Sequence, residues 1–274
     1  MDAVRTKPVI IHDGVRAQEQ KATLLVEEPL EIRINGKPYA VIMRTPGNEM
    51  ELAAGFCLTE GIIDSFSEIH TIGFCADAPA GMQNIVNVMV SQQACGREDE
   101  AAEPSARAVR KMASRSSCGL CGVEMLQDVE KKVAPLQTGL RIPSKNFYRM
   151  LNRMLEFQEL YGSTKAAHAA GIFYPGGEPI VVREDVGRHN ALDKVIGHAL
   201  MKGLDCSRLV ALLSSRISFE MVQKALRARI PVVAAVSAAT ALAVELGERN
   251  GCTLIGRIRE GSSIIYTHPD RITS

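Results

Sequence analysis

Apolar and polar residues alternate strictly in "LEIRI", residues 30–34. Leu30, Ile32 and Ile34 share one side and Glu31 and Arg33 the other, which is the period of a half-buried strand. "NGK" at Asn35–Lys37 follows, and Asn-Gly supplies the left-handed residues of a tight hairpin. "PYAVIMR" then reads as the return strand, within a strand-rich stretch over 22–44. Further strands are predicted over 69–74 and 84–90. Between them, "TPGNEMELAAGFCLTEGII" changes to helical spacing. Asn48 is placed to cap that helix with Glu51 three residues on, and Gly61 suits its end.

The second half has a different rhythm. "SKNFYRMLNRMLEFQEL", residues 144–160, predicts one capped amphipathic helix, with Phe147, Leu151, Met154 and Leu155 at helical spacing. "HAAGIFYPGGEPIVVRED" predicts a hairpin around Pro175–Gly177. Then come a helix near 188–202, strand 208–213, helix 218–229, strand 231–236, helix 238–249 and strands 252–258 and 262–267. Such alternation implies an α/β fold whose sheet is largely parallel with helices on its faces. "LVALLSS" and "PVVAAVS" are almost wholly apolar, as strands covered on both faces should be. The segment 92–112, "QQACGREDEAAEPSARAVRKM", lacks an apolar stripe and reads as an exposed connection with a short helix. It divides the chain into a β-rich and helical part, 1–110, and an α/β part, 111–274, an arrangement that also fits one continuous domain.

Composition narrows the function. The 274 residues are 46% apolar and 23% charged, with a net charge of +1, an ordinary globular balance. Without a basic excess, bulk nucleic-acid binding is not expected, and any anionic ligand must be met locally. "MDAVRTKPVIIHDG" has no long apolar run, so no signal peptide is expected, and no run approaches the roughly 18 apolar residues of a membrane span. Seven cysteines are an odd number in a chain too long to need stapling. That points to free thiols in a reducing compartment, the cytoplasm. Cys57, Cys206 and Cys252 fall where packing residues belong, whereas Cys75 and Cys95 flank loops.

Cys118 and Cys121 stand apart in "SSCGLCG". A preceding Arg115, a second thiol in Cys-x-x-Cys and a helix starting just after the pair each favour thiolate over thiol. Gly119 and Gly122 let another molecule approach closely. Three chemistries fit: zinc ligation, disulfide exchange, or carriage of sulfur as a persulfide. Zinc requires more ligands than one pair supplies. No second Cys-x-x-Cys exists, no His-x-Glu precedes the pair, and Ser117 stands where zinc deaminases have proline, leaving His168, His189 or His198 as available third ligands. Thioredoxin-like pairs sit near the start of a compact βαβ unit, whereas this one lies mid-chain.

A second polar stretch is "REDVGRHNALDKVIG", 183–197, in which Asp185 and Gly187 lead into a helix carrying Arg188, His189, Asn190, Asp193 and Lys194. A helix start with Arg and Lys beside it suits an anion, though a solvated first turn has the same composition.

"SSCGLCG", "REDVGRHNALDK", "TPGNEMELAAGFCLTEGII", "SSRISFEMVQKA" and the terminal "YTHPDRI" together resemble the FdhD family, from about residue 20 to the C-terminus. The resemblance implies a sulfur carrier, a sulfurtransferase-type protein of molybdenum cofactor biosynthesis required for formate dehydrogenase activity. Sulfane sulfur would come from a cysteine desulfurase, ride as a persulfide on Cys118 with Cys121 as second cysteine, and pass to the bis-molybdopterin guanine dinucleotide cofactor. Apo formate dehydrogenase is the implied client and a homodimer the implied assembly. The implied fold is cytidine-deaminase-like, a mixed, mostly parallel sheet between helices, with a β-rich N-terminal part and without zinc. The guanine-dinucleotide segment maps to "RIREGS", Arg257, Ile258, Arg259, Glu260, Gly261 and Ser262, with Arg257 where the family has an aromatic residue. A guanidinium can stack on a base or meet a phosphate. The cofactor's two pyrophosphates ask for further donors, and Arg188, His189, Lys194, Ser215 and Arg216 are placed to supply them, the last two at the carboxyl end of "LVALLSS". Arg216 is also spaced to pair with Glu220. The other function class open to the pair is thiol–disulfide exchange, as an oxidoreductase or redox chaperone.

Overall fold

The computed structural model describes residues 2–75, 84–91 and 135–274; Cys118, Cys121, Cys95 and the connection 92–112 lie outside these. Strands β1 (Val4–His12) and β2 (Ala17–Leu25) form a two-stranded antiparallel hairpin. Its first strand has no legible pattern, because Ile10 and Ile11 are adjacent and both are exposed. Strands β3 (Glu28–Ile34), β4 (Lys37–Arg44), β5 (Ile69–Phe74) and β6 (Ile85–Val90) make a four-stranded sheet in the order β4-β3-β6-β5. The β3–β4 turn holds Asn35 at φ 50 and Gly36 at φ 78, the left-handed pair that Asn-Gly adopts readily. Helix α1 (Glu49–Thr59) follows. Its predicted capping box is not formed: Asn48 is itself left-handed, at φ 61, and its side chain caps nothing. Glu51 turns instead to Arg183 and His198, because charge-assisted bonds outcompete one backbone amide.

The larger sheet has six strands: β8 (His168–Phe173), β9 (Pro179–Asp185), β10 (Val210–Leu213), β11 (Val232–Ala235), β12 (Thr253–Arg259) and β13 (Ser262–Ile265). Their order is β13-β12-β11-β10-β8-β9. The expectation of a mostly parallel sheet is corrected here. Only β10–β11 and β11–β12 pair in parallel, while β8–β9, β8–β10 and β12–β13 are antiparallel. The cause is local: tight turns at Gly177 and Gly261, both at positive φ, fold the flanking strands back as hairpins. A short parallel pair joins β7 (Ile142–Pro143) to β14 (Ile272–Thr273).

Helices α2 (Lys145–Glu156) and α3 (Glu159–Thr164) replace the single helix predicted over 144–160. The break falls at Phe157–Gln158, and Glu184 of β9 accepts from the amides of Leu160 and Tyr161, satisfying the start of α3. Helix α4 (Arg188–Met201) follows β9, α5 (Phe219–Arg227) follows β10, and α6 (Ala241–Arg249) follows β11. Among the described residues no helix is long and apolar enough to cross a membrane.

Strand periodicity sorts the core. Ala170, Ile172, Ala211, Leu213, Val233 and Ala235 face α4 and α5, while Ala169, Phe173, Val210, Leu212, Val232 and Ala234 face Phe147, Met150 and Met154 of α2. Helices therefore cover both faces, as expected. Beyond α4 lies α1, and beyond α1 lies the four-stranded sheet, so one apolar cluster joins Leu30, Ile32 and Val86 to Leu192 and Val195. Helices α1 and α4 cross at Gly55 and Gly197, where a Cβ on either glycine would enter the other helix's backbone.

Polar groups between these layers are matched. Asp193 accepts from Lys224 at 2.8 Å and from Thr59 at 2.9 Å. The Arg183 guanidinium grips both oxygens of Glu51, at 2.6 and 2.9 Å, and His198 Nδ1 lies 2.8 Å from the same carboxylate. Burial is the largest influence on Glu51 and pushes its pKa up, but the Arg183 and His198 contacts together outweigh it and hold the carboxyl below the usual glutamate range. A depressed carboxyl stabilises the fold above its unfolded pKa, and that contribution is lost as pH falls toward the folded value. Glu51→Gln is therefore expected to lose roughly 1–2 kcal/mol at about pH 7, with the deficit shrinking toward about pH 4. Urea midpoints at the two pH values check this, and a deficit constant with pH would refute it.

Candidate functional site

Strands β9, β10, β11 and β12 run in one direction, since β9 and β10 each oppose the β8 between them. Their carboxyl ends, and the N-termini of α4, α5 and α6, thus gather along one edge of the sheet. Such an edge is where parallel strands receive ligands, and the helix starts favour negative charge there.

At one end of this edge, β12 carries a bulge between Gly256 and Arg259. Arg257 sits in it at φ 52 and is held by its amide, which donates to the Ser237 carbonyl at 2.9 Å. A Cβ at Gly256 would stand 2.6 Å from that same carbonyl oxygen, so glycine is what lets the strand approach. The bulge turns Arg257 outward beside Arg259, and with Ser262, Ser263 and Ile264 they line a groove of about 280 Å³. Arg259 Nη1 is anchored on the Val236 and Ile258 carbonyls at 3.0 and 2.7 Å. Of the six sequence-predicted residues here, Arg257, Arg259 and Ser262 line the groove. Glu260 and Gly261 form the exposed turn above it, and the Ile258 side chain is buried in the core on the α2 side. Ser263 was missed; the family segment ends at Ser262, and strand alternation, which would send Ser263 to the other face, does not foretell that both serines line the groove.

At the other end lies the start of α4. Arg188 is part-exposed and forms no ion pair or hydrogen bond to a described residue. His189 Nε2 lies 2.6 Å from Glu220 Oε2, so Glu220 takes His189 rather than Arg216. Arg216 is exposed just beyond β10, while Ser215 beside it is buried and donates to the Arg216 carbonyl at 3.1 Å. Lys194 does not reach the edge. It is 1% exposed, pairs with Asp185 at 2.8 Å and donates to the carbonyls of Thr45 and Glu184. Asp185 in turn accepts from the amides of Thr45 and Gly187 and from Asn190. This buried cluster fixes the turn that presents Arg188 and His189.

His168, one of the histidines available from sequence as a third zinc ligand, opens β8 at the same edge beside Ser214, whose hydroxyl accepts from the Ala169 amide. Burial first, and then the Arg188 and His189 charges, lower its pKa against the pull of Asp185, so the ring stays neutral. Among the described residues no three His, Cys, Asp or Glu side chains assemble as a metal site. Two described thiols are inert by burial, which pushes Cys206 to about 11 and Cys252 to about 12.

A family model, the FdhD/NarQ family, matches residues 25–273. The sulfur carrier protein FdhD of Mycolicibacterium paratuberculosis is 44% identical over 91% of this chain and 92% of its own length. The protein of the same name from Bordetella bronchiseptica is 38% identical over 100% of this chain and 96% of its own. Among solved structures, a protein of Desulfotalea psychrophila described as a formate dehydrogenase accessory protein superposes with a TM-score of 0.78 at 24% identity, covering 99% of this chain and 100% of that one. That likeness carries the fold.

Proposed function

Because the chain belongs to the FdhD/NarQ family, we propose that it is a sulfur carrier serving formate dehydrogenase. In this reading the Cys118 thiolate attacks the outer sulfur of a cysteine desulfurase persulfide. The S–S bond of the donor breaks, the desulfurase cysteine leaves as thiolate, and Cys118 holds the sulfur as a persulfide. The acceptor is the bis-molybdopterin guanine dinucleotide cofactor, bound here as substrate before its insertion into apo formate dehydrogenase. Cys121 either stabilises the persulfide or attacks Cys118 Sγ, releasing the outer sulfur with both bond electrons and leaving a disulfide. The second route requires an external dithiol to reset the pair.

The observation that carries the substrate half is the groove of Arg257, Arg259, Ser262 and Ser263 on the sheet edge where helix N-termini converge. Two guanidinium groups and two hydroxyls suit a nucleotide diphosphate, as bidentate donors to its oxygens. Arg188, His189 and Arg216 extend the same edge. We assign the protein to the cytoplasm, as a homodimer whose two grooves take the two guanine nucleotides of one cofactor.

Incubation with a cysteine desulfurase and cysteine, followed by intact mass without reductant, is the test. A gain of one sulfur, about 32 Da, is expected; it should be removed by dithiothreitol and absent in Cys118→Ala. Loss of two hydrogens in place of that gain would weaken the carrier reading and favour thiol–disulfide exchange. Full single-turnover transfer by Cys121→Ala would eliminate the disulfide route.

A further inference from the structure

Among the described residues, two buried polar atoms at this edge lack a hydrogen-bond partner: Nε2 of His189 and Oγ of Ser218. Native folds leave few such atoms, and each calls for an explanation. Ser218 is the N-cap residue of α5, in extended geometry, yet its hydroxyl does not cap the helix. Two residues on, the Glu220 carboxylate stands 2.6 Å from His189 Nε2, yet the contact does not satisfy hydrogen-bond geometry. The His189 contact, and then the Arg188 and Lys224 charges, hold Glu220 ionised against the effect of burial. Its side chain is 41% exposed, so it has open solvent to turn into.

We propose that the Glu220 carboxylate is a stand-in for an oxyanion of the ligand. On binding, a phosphate oxygen takes its place on His189 Nε2 and accepts from Ser218 Oγ, with Arg188 supplying the remaining charge. This rests on the reading of the edge as a nucleotide diphosphate site and adds a selection rule to it. Among the described residues, the titratable and charged groups around the contact come from α4, α5, β8 and β9, the last supplying Asp185, which is already closed on Lys194. Arg188 and His189 come from α4, and Lys224, already committed to Asp193, comes from α5. The neutral His168 comes from β8. A monoanion arriving there only exchanges one charge for another and gains nothing. A pyrophosphate brings more charge and more acceptor oxygens than the side chain it displaces, so it prevails.

The experiment measures inorganic pyrophosphate binding to the full chain by calorimetry, with the imidazole carbon signals followed by NMR. Glu220→Gln should bind pyrophosphate about 10-fold more tightly than the natural protein, as expected for removing one competing charge. The His189 signal should shift on binding, and the gain should disappear in Glu220→Gln combined with His189→Gln. Binding by Glu220→Gln no tighter than the natural protein, at an unchanged unfolding midpoint, would overturn the proposal. So would a gain that survives loss of His189, or no pyrophosphate binding in any variant. None of these measurements needs a cysteine, so the sulfur-carrier reading stands or falls separately on the mass experiment.

Discussion

Replacing Gly197 by valine will strip the protein of at least about 3 kcal/mol of stability, a large share of the roughly 5–15 kcal/mol that domains possess. The obstacle is backbone. A Cβ at Gly197 runs into the Glu51 carbonyl oxygen, and one at Gly55 runs into that of Asp193. Ordinary overpacking is relieved by a side chain changing rotamer, but a helical carbonyl has none to change. Helices α1 and α4 must part, and parting them pulls Glu51 from Arg183 and Thr59 from Asp193. Gly162 in α3, with nothing within 4 Å of a built Cβ, is the control. Gly162→Ala should be neutral or slightly stabilising. Urea unfolding of both variants decides it, and a Gly197→Val midpoint near that of the natural protein would show that the crossing is not tight.

Lys224→Met should cost about 3–5 kcal/mol, because it leaves a buried carboxylate with one neutral donor. Asp193 is 2% exposed and, among the described residues, keeps only the Thr59 hydroxyl once Lys224 is gone. Burial already pushes the Asp193 carboxyl upward against the attraction of Lys224. Without that attraction the folded pKa rises further above the unfolded value. A raised carboxyl favours the folded state below the unfolded pKa and loses that contribution as pH climbs through the folded pKa. The deficit of Lys224→Met relative to the natural protein should therefore narrow on acidification. Combining it with Asp193→Leu should recover much of the loss, since apolar pairs replace buried ion pairs at little cost. Denaturation midpoints of the single and double variants measure this, and a double variant less stable than Lys224→Met would refute it.

Legibility from sequence followed burial. The β3–β4 hairpin, the strands β10 to β12 and the helices between them were read correctly, because each has one apolar face or two and a sharp stop. The β1–β2 hairpin was not, since little of it packs on the core and no periodicity is imposed. The single helix expected over 144–160 divides because Glu184, far away in sequence, caps a second start at Leu160. The parallel character was overestimated: the hairpin around Pro175–Gly177 was legible, but alternation of strands and helices does not reveal that β8 inserts between β9 and β10 and opposes β10 as well. At the site, Arg257, Arg259 and Ser262 were legible as a segment through the family resemblance, while the bulge that aims Arg257 was not. Lys194 looked like a ligand because it stands with Arg188 on the first turns of a helix whose start suits an anion, yet only the fold shows it closed on Asp185. Glu220 was visible but assigned to Arg216; helix spacing favours an i,i+4 partner and says nothing of a neighbouring helix.

Asp193 and Lys194 are adjacent on α4, and their side chains leave the helix about 100° apart. One meets a cation on α5, the other a carboxylate at the end of β9. If α4 docked one residue out of step, an ammonium would face Lys224 or a carboxylate would face Asp185. Each misalignment would bury like charges against one another. The two-letter order Asp-Lys therefore works as a parity check on assembly. Exchanging the letters would preserve composition, net charge and nearly all helix propensity, and would still spell the wrong address for every neighbour of the helix.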